Sequence, residues 1–227
     1  MMTSTLMPAS PLVSCLTPTY NRRDFWPKCI QCFLSQDYTN LEWVIVDNSE
    51  TPIKDLLPAD PRIRYVRHPG ERLSHGNLMN LCMGCSTGAL ACVLDDDDWY
   101  APDRVRKQVQ PLIDNPAKDI VGTSRLFYYV LGTQKAFRYV NQTHQKWLAA
   151  PAWRRSAWEN NKFDNLTRGA DTNFMNRIPK NRWVDLEDER LIASTIHPGN
   201  ASPKRLLPPS FVGVPWASVE EITKGTL

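Results

Sequence analysis

The sequence has no run of 18 or more apolar residues, so no stretch of it can cross the roughly 30 Å hydrocarbon layer of a bilayer as a helix. Its opening residues, MMTSTLMPASPLVSCL, lack a basic cluster ahead of the apolar stretch. The expectation is therefore no signal peptide, no membrane span and a cytoplasmic location. An excess of one charge sign is also missing. With 27 Lys and Arg against 24 Asp and Glu, the net charge of +3 does not announce a nucleic-acid or membrane partner. Glycine is absent from TPTYNRRD, the polar segment after the first apolar run. That counts against a glycine-rich loop for triphosphate, and so against a nucleotidyltransferase. Neither an internal repeat nor a low-complexity segment appears.

What the chain does have is enough apolar content, 42% of 227 residues, for one large core or two small ones. Six cysteines include two C-x-x-C pairs, CIQC and CMGC. Zinc ribbons space such pairs by roughly 15 to 20 residues, much less than the gap here. Each pair also lies inside an apolar-periodic segment where a zinc site would need a turn, so the cysteines read as small buried hydrophobes.

Strands and helices alternate along the first hundred residues. LVSCLTPTY (12–20), LEWVIVDNS (41–49), RIRYVRHP (62–69) and ALACVLDDDD (89–98) read as strands. DFWPKCIQCFLSQ (24–36) and NLMNLCMGCSTG (77–88) read as helices, the second closed by Gly88. Such alternation implies a mostly parallel sheet whose ligands bind at the carboxyl ends of its strands. Pro18, Thr19, Tyr20 and Asn21 follow the first strand there, Asp47, Asn48 and Ser49 the second, and four aspartates the fourth. Beyond residue 104 the pattern loosens into a helix over about 102–113, a strand pair within 124–141, and an aromatic-rich remainder. The Pro-rich stretch 206–215 reads as an extended tail.

The row Asp95, Asp96, Asp97 and Asp98 poses the sharpest chemical question. Two unit charges about 6 Å apart repel by roughly 3 kcal/mol at an effective dielectric near 20. A partly buried row of four therefore calls for a counter-charge, and a bound cation is the direct candidate; the alternative is an idle, solvated acidic loop.

Taken in order, TPTYNRRD, VIVDNSE, SHGNLMNLCMGCSTGALACVLDDDDWYAPDR, RRSAWENNKF with RGADTNFMNR, and IHPGNASPK resemble the GT-A glycosyltransferases of family 2 over about residues 12–205. The resemblance implies an α/β fold with a Rossmann-like, mostly parallel central sheet and a mixed α+β acceptor half. It implies one domain, with a nucleotide-sugar-binding half at about 12–100, an acceptor half at about 101–205 and a tail at 206–227. The implied reaction is metal-dependent inverting transfer from a nucleoside-diphosphate sugar, expected to be a UDP-sugar, with Mn2+ or Mg2+. The acceptor stays open between a glycan, a small molecule and a modified nucleic-acid base, as does the oligomeric state.

Residue by residue, DDDDWYAPDR resembles the family's D-x-D segment, which implies Asp97 as a metal ligand and Asp95 or Asp96 at the ribose or a metal-bound water. Asp95 is a second metal candidate, and Asp98 would reach the sugar. Asp47 matches the carboxylate that reads the donor base, with Pro18, Thr19, Tyr20, Asn21 and Ser49 around it; a strand-end Asp is alternatively a turn cap. SHGNLMN departs from the family's S-x-G-x-x-R-N. Asn80 remains for the donor, but Met79 stands at the phosphate-facing arginine, so that Arg72, His75 or another basic residue replaces it or the grip is weaker. RGADTNFMNR resembles G-E-D-x-x-F, which makes Asp171 the catalytic base, with Ala170 in place of the Glu; Asp171 also reads as a helix N-cap. HPGNASPK resembles H-x-x-N, implying His197 at the metal or diphosphate, with Lys204 touching phosphate. Trp147, Trp153 and Arg155 are the acceptor candidates, and Trp158 reads as core. Met79 and Ala170 are also the hints for a noncatalytic carbohydrate-binding protein on a degenerate transferase fold.

Overall fold

Seven strands make the first sheet and fix where every loop of the candidate site emerges. The structure, a computed structural model, describes residues 10–140, 147–202, 206 and 209–227. β1 (Val13–Thr19) lies inside the sheet, followed across it by β2 (Leu41–Asp47) and β3 (Ile63–Arg67), all parallel. On its other side runs β4 (Leu90–Val93), also parallel to β1. Helix α1 (Trp26–Leu34) connects β1 to β2, and α2 (His75–Cys85) connects β3 to β4.

Because helices cover both faces, these strands are apolar nearly throughout rather than alternating with polar residues. Side chains of successive residues still go to opposite faces. Val13, Cys15, Trp43 and Ile45 enter one core with Cys29 and Cys32 of α1. Leu16, Val44 and Val46 enter the other with Leu78, Met79 and Cys82 of α2. The two C-x-x-C segments thus lie on different helices, in different cores.

The second half of the chain is interleaved with the first. After α3 (Arg104–Asp114), strand β6 (Ile120–Thr123) pairs with the later β9 (Ala149–Arg154), which runs antiparallel against β4 and extends the first sheet; β10 (Trp183–Asp185) completes its edge. A second sheet has the order β12-β8-β7-β11-β5, where β5 is Trp99–Tyr100, β7 Arg125–Val130, β8 Ala136–Val140, β11 Ile192–Ile196 and β12 Phe211–Val214. Short helices α4 (Arg155–Asn160), α5 (Ala170–Asn176) and α6 (Ala217–Thr223) fill the connections and the end. No helix among the described residues is long and apolar enough to cross a membrane.

Three boundaries differ from the sequence reading. Strand β4 stops at Val93, and the aspartates form a turn between β4 and β5 instead of extending the strand. Helix α2 spans His75–Cys85 rather than 77–88 and gives way to Ser86 before Gly88 is reached. Within the Pro-rich tail, Phe211–Val214 pair with β8 as an edge strand, where the following Pro215 costs no ladder bond, and α6 follows.

Trp153 of β9 has no exposed surface and meets Phe163 and Phe174 at ring distances of 5.8 and 5.4 Å. It cements α5 to the sheet and is not an acceptor platform, as the sequence reading had it. Trp153→Ala should therefore lower stability by roughly 3 to 5 kcal/mol in chemical denaturation. A loss under about 1 kcal/mol would contradict this packing role.

Candidate active site

The turn after β4 sends its four carboxylates in different directions, each toward a different element. Asp96 turns back to β1, where Thr19 Oγ1 donates to its Oδ2 at 2.5 Å. Asp98 turns to β11, accepting from Thr195 N at 2.8 Å and Ser194 Oγ at 2.7 Å. Asp97 faces the loop after β11, with His197 Nε2 at 3.0 Å from its Oδ2 and Arg22 Nη2 at 3.8 Å. Asp95 lies toward α5, and its backbone N–H is held by Tyr100 Oη at 3.0 Å. From behind, Lys28 of α1 donates to Asp97 O and Tyr129 Oη, both at 2.8 Å, and to Thr195 Oγ1 at 3.0 Å.

Charge crowding shows in the acidities. Burial and then the Asp97 charge push the Asp96 carboxyl up to about 8 and that of Asp98 up to about 6. Burial, Asp98 and Asp97 push Asp95 well above the ordinary range. Asp97 goes the other way. Burial opposes its ionisation, but His197, Arg22 and Lys28 outweigh that and hold it below the usual carboxylate value. One carboxylate is thus kept ionised beside an imidazole, among neighbours that resist sharing more negative charge.

Asp97 and His197 are the two residues placed to hold a hard divalent cation. Among the described residues no third acidic, His or Cys group joins them in a metal cluster. The expected trio of Asp97, Asp95 and His197 does not gather into such a cluster. One ionised carboxylate facing an open cleft, backed by a buried imidazole, suits Mg2+-type coordination, in which substrate phosphate oxygens and water complete the shell. The cleft is lined by the whole aspartate turn, Pro18, Thr19, Tyr20, Arg22, Arg72, His75, Asp171, Ser194 and Asn200, among others.

Asp171 opens onto this cleft and onto a smaller adjoining cavity of about 140 Å³ that also contains Asp95, Asp98, Tyr128 and Trp147. It sits inside the first turn of α5, whose N-cap is Gly169, so it caps nothing. Trp147, partly exposed and edge-on to Tyr139 at 6.1 Å, is the aromatic candidate that the structure does bring to this cavity.

Asp47 is placed differently from the expectation. It has no exposed surface; Oδ1 accepts from Ser49 N at 2.8 Å, and Oδ2 from Ile53 N at 3.0 Å and Tyr65 Oη at 2.7 Å. It closes the turn after β2 and does not face a donor base. Asn21 and Ser49 bond to each other across the same loops, Asn21 N to Ser49 Oγ at 2.8 Å, outside the cleft lining. Asn80 is also structural: its Oδ1 accepts from Trp158 Nε1 at 2.9 Å and Phe163 N at 3.0 Å. Arg155 donates to Gly88 O, Ser86 Oγ and Met83 O at the C-terminal end of α2. An 11-residue helix is about 16 Å long, so Arg155 sits a helix length from the cleft and is no acceptor contact. Lys204 lies outside the described residues.

Arg22 is the residue that sequence reading missed. Its Nη1 lies 3.2 Å from His197 Nε2, whereas neighbouring Arg23 turns outward to Asp55. Two adjacent arginines after a strand give no hint which will face in; the short 3₁₀ turn at Arg23–Phe25 decides it. Met79 is buried in the core, while Arg72, 4.4 Å over the Tyr20 ring, and His75 both line the cleft.

With this geometry in place, comparison with known proteins is specific. The sequence profile of glycosyl transferase family 2 matches residues 14–187. The chain belongs to glycosyl transferase family 2. A protein of Escherichia coli strain K12 named for colanic acid biosynthesis, the glycosyl transferase WcaA, is 33% identical over 104 residues, which are 44% of this chain and 37% of that one. S. aureus TarS 1–349 in complex with UDP-GlcNAc superposes with a TM-score of 0.66 at 18% identity, covering 83% of this chain and 60% of that chain. The mannosyltransferase PcManGT from Pyrobaculum calidifontis, in complex with GDP-Man and Mn2+, gives 0.63 at 20% identity, covering 86% and 58%. The fold is thus the GT-A fold that the sequence reading expected of family 2.

Asp47 provides the test of its own correction. Burial works against its ionisation, but the bonds from Ser49, Tyr65 and Ile53 outweigh that and hold it below its ordinary 3.8. Its stabilisation is therefore complete above that value and is lost as the pH falls through the lowered folded value. Asp47→Ala should destabilise the protein by roughly 2 to 4 kcal/mol at neutral pH, since it orphans buried donors. The gap to wild type should close as the pH drops below 3.8. A variant of normal stability with weakened nucleotide binding would restore the base-reading role.

Proposed function

We propose that the protein transfers a sugar from a nucleoside-diphosphate sugar to an acceptor hydroxyl with inversion at the anomeric carbon. The observation that carries this reading is that Asp171 and Asp97, the latter with His197 packed against it, open onto one cleft. The first group can take a proton, and the second can hold a cation against a diphosphate. When bound there, the divalent cation, Mn2+ or Mg2+, neutralises charge developing on the leaving diphosphate. Support for a metal and a nucleotide sugar comes from PcManGT with GDP-Man and Mn2+, and from TarS with UDP-GlcNAc. Those pairings name two different nucleotides, and a UDP-sugar is retained as the first donor to try.

The chain's own residues have separable tasks. Arg22 and Arg72 give the cleft the positive charge that Met79 cannot. Thr19, Ser194 and Thr195 hold Asp96 and Asp98, which keeps the turn rigid around Asp97. Asp171 deprotonates the attacking hydroxyl, and Trp147 offers an aromatic face in the adjoining cavity where the acceptor enters. With Asp171 as the base and Asp98 of the same cavity tied to β11 by Thr195 and Ser194, transfer proceeds by single displacement. On this reading residues 12–205 act as one catalytic unit, working in the cytoplasm.

Asp171→Asn keeps the side chain's shape but cannot accept a proton. Turnover should fall by roughly a hundredfold or more, with donor affinity within about twofold of wild type. NMR of the product should show the anomeric configuration opposite to the donor's. Near-normal turnover, or a product with retained configuration, would refute the assignment.

A further inference from the structure

Asp171 has one carboxylate oxygen shut away from water and one not. Oδ1 is buried and makes no hydrogen bond, its one charged neighbour being an ion-pair partner, yet the side chain as a whole remains 37% exposed. The side chain lines both the cleft and the Trp147 cavity. The group opposite Oδ1 is the His75 imidazole, with Nε2 at 3.4 Å.

The backbone builds this encounter. His75 is the first residue of α2, behind the N-cap Ser74, whose Oγ accepts from Asn77 N at 3.2 Å. The next residue is Gly76. A Cβ there would lie 1.8 Å from Asp164 O, and Gly76 N donates to Leu166 O at 3.0 Å. Only a residue without a side chain lets the 164–166 segment lie on the first turn of α2. Gly169, at φ 75°, then takes the left-handed conformation that starts α5, and Asp171 arrives two residues later facing His75.

Electrostatics explain why the imidazole stays. A cation at a helix N-terminus opposes the helix dipole, so His75 there needs a counter-charge from elsewhere in the fold. Burial alone would lower its pKa, but Asp171, with further help from Asp95 and Asp96, raises it to about 9. The imidazolium is thus the neutral-pH form.

We infer that His75 is a positioning residue for the base: it holds Asp171 Oδ1 and thereby aims Oδ2 at the acceptor hydroxyl. This rests on the reading of Asp171 as the base. It also gives the S-H-G segment, at the point where the chain departs from the family's arginine, a task separate from gripping phosphate.

The test measures donor affinity and turnover for His75→Ala, His75→Gln, Asp171→Asn and the double variant His75→Ala/Asp171→Asn. His75→Ala should lose roughly tenfold or more in turnover, with donor affinity within about twofold of wild type. His75→Gln, which keeps a donor at a similar reach, should recover a large part of that loss. The double variant should be no slower than Asp171→Asn, because His75 acts only through Asp171. If His75→Ala weakens donor binding about tenfold and slows Asp171→Asn further, His75 serves the diphosphate and the inference is overturned. Equal losses in the Gln and Ala variants would also overturn it. Normal turnover in Asp171→Asn would bring down the base assignment first and this inference with it, whereas a crippled Asp171→Asn beside an unimpaired His75→Ala would bring down this inference alone.

Discussion

Mutual repulsion among four neighbouring carboxylates is the constraint around which the cleft is built. A flexible acidic loop would relieve it by spreading into water, but here Trp99 and Tyr100 are buried and pull the turn inward. The fold instead assigns three of the side chains to different supports: Asp96 to Thr19 on β1, Asp98 to Ser194 and Thr195 on β11, and Asp97 to His197 and Arg22 beside the loop after β11. Dispersing the side chains separates the charges, and the supporting donors replace lost water. Asp97 keeps its charge because His197, Arg22 and Lys28 together outweigh its burial.

The rest of the architecture serves that arrangement. β5, the two-residue continuation of the turn, pairs with β11 and so joins the second sheet to the end of the first. Lys28, from beneath, binds Asp97 O together with Tyr129 and Thr195, so α1, the turn and the second sheet share one bond donor. On the opposite wall, Trp153 and Phe174 pack α5 against β9, and Gly76 lets the preceding loop approach α2. Asp171 is therefore fixed relative to the turn by two independent contacts, one apolar and one made by the backbone.

Much of this was legible in sequence because it depends on short-range pattern. The early strands and helices follow from periodicity; Asp97, Asp171 and His197 lie in motif positions, and Trp147 in an aromatic segment, that the fold does bring to one region. What was not legible depends on partners distant in the chain. Asp47 looks the same in sequence whether it faces a nucleotide or caps a turn; Tyr65, from the neighbouring strand, decides that it faces inward. Trp153 and Trp147 share one irregular segment, and only the pairing of β9 against β4 and β6 sends the first into the core. Asn80 and Arg155 are polar residues used to fasten α2, a role that a motif cannot distinguish from ligand contact. β12 was hidden because proline disguises an edge strand as a tail.

The central claim is that this turn holds a cation jointly with a diphosphate rather than in a protein cage, since among the described residues no three acidic, His or Cys groups gather to hold a metal. Calorimetry of UDP binding, with Mn2+ and then with excess chelator, tests that claim most directly. The account predicts that Mn2+ strengthens UDP binding by roughly tenfold or more, and that the coupling disappears in Asp97→Asn. Equal UDP affinity with and without Mn2+, or a coupling that survives Asp97→Asn intact, would contradict it.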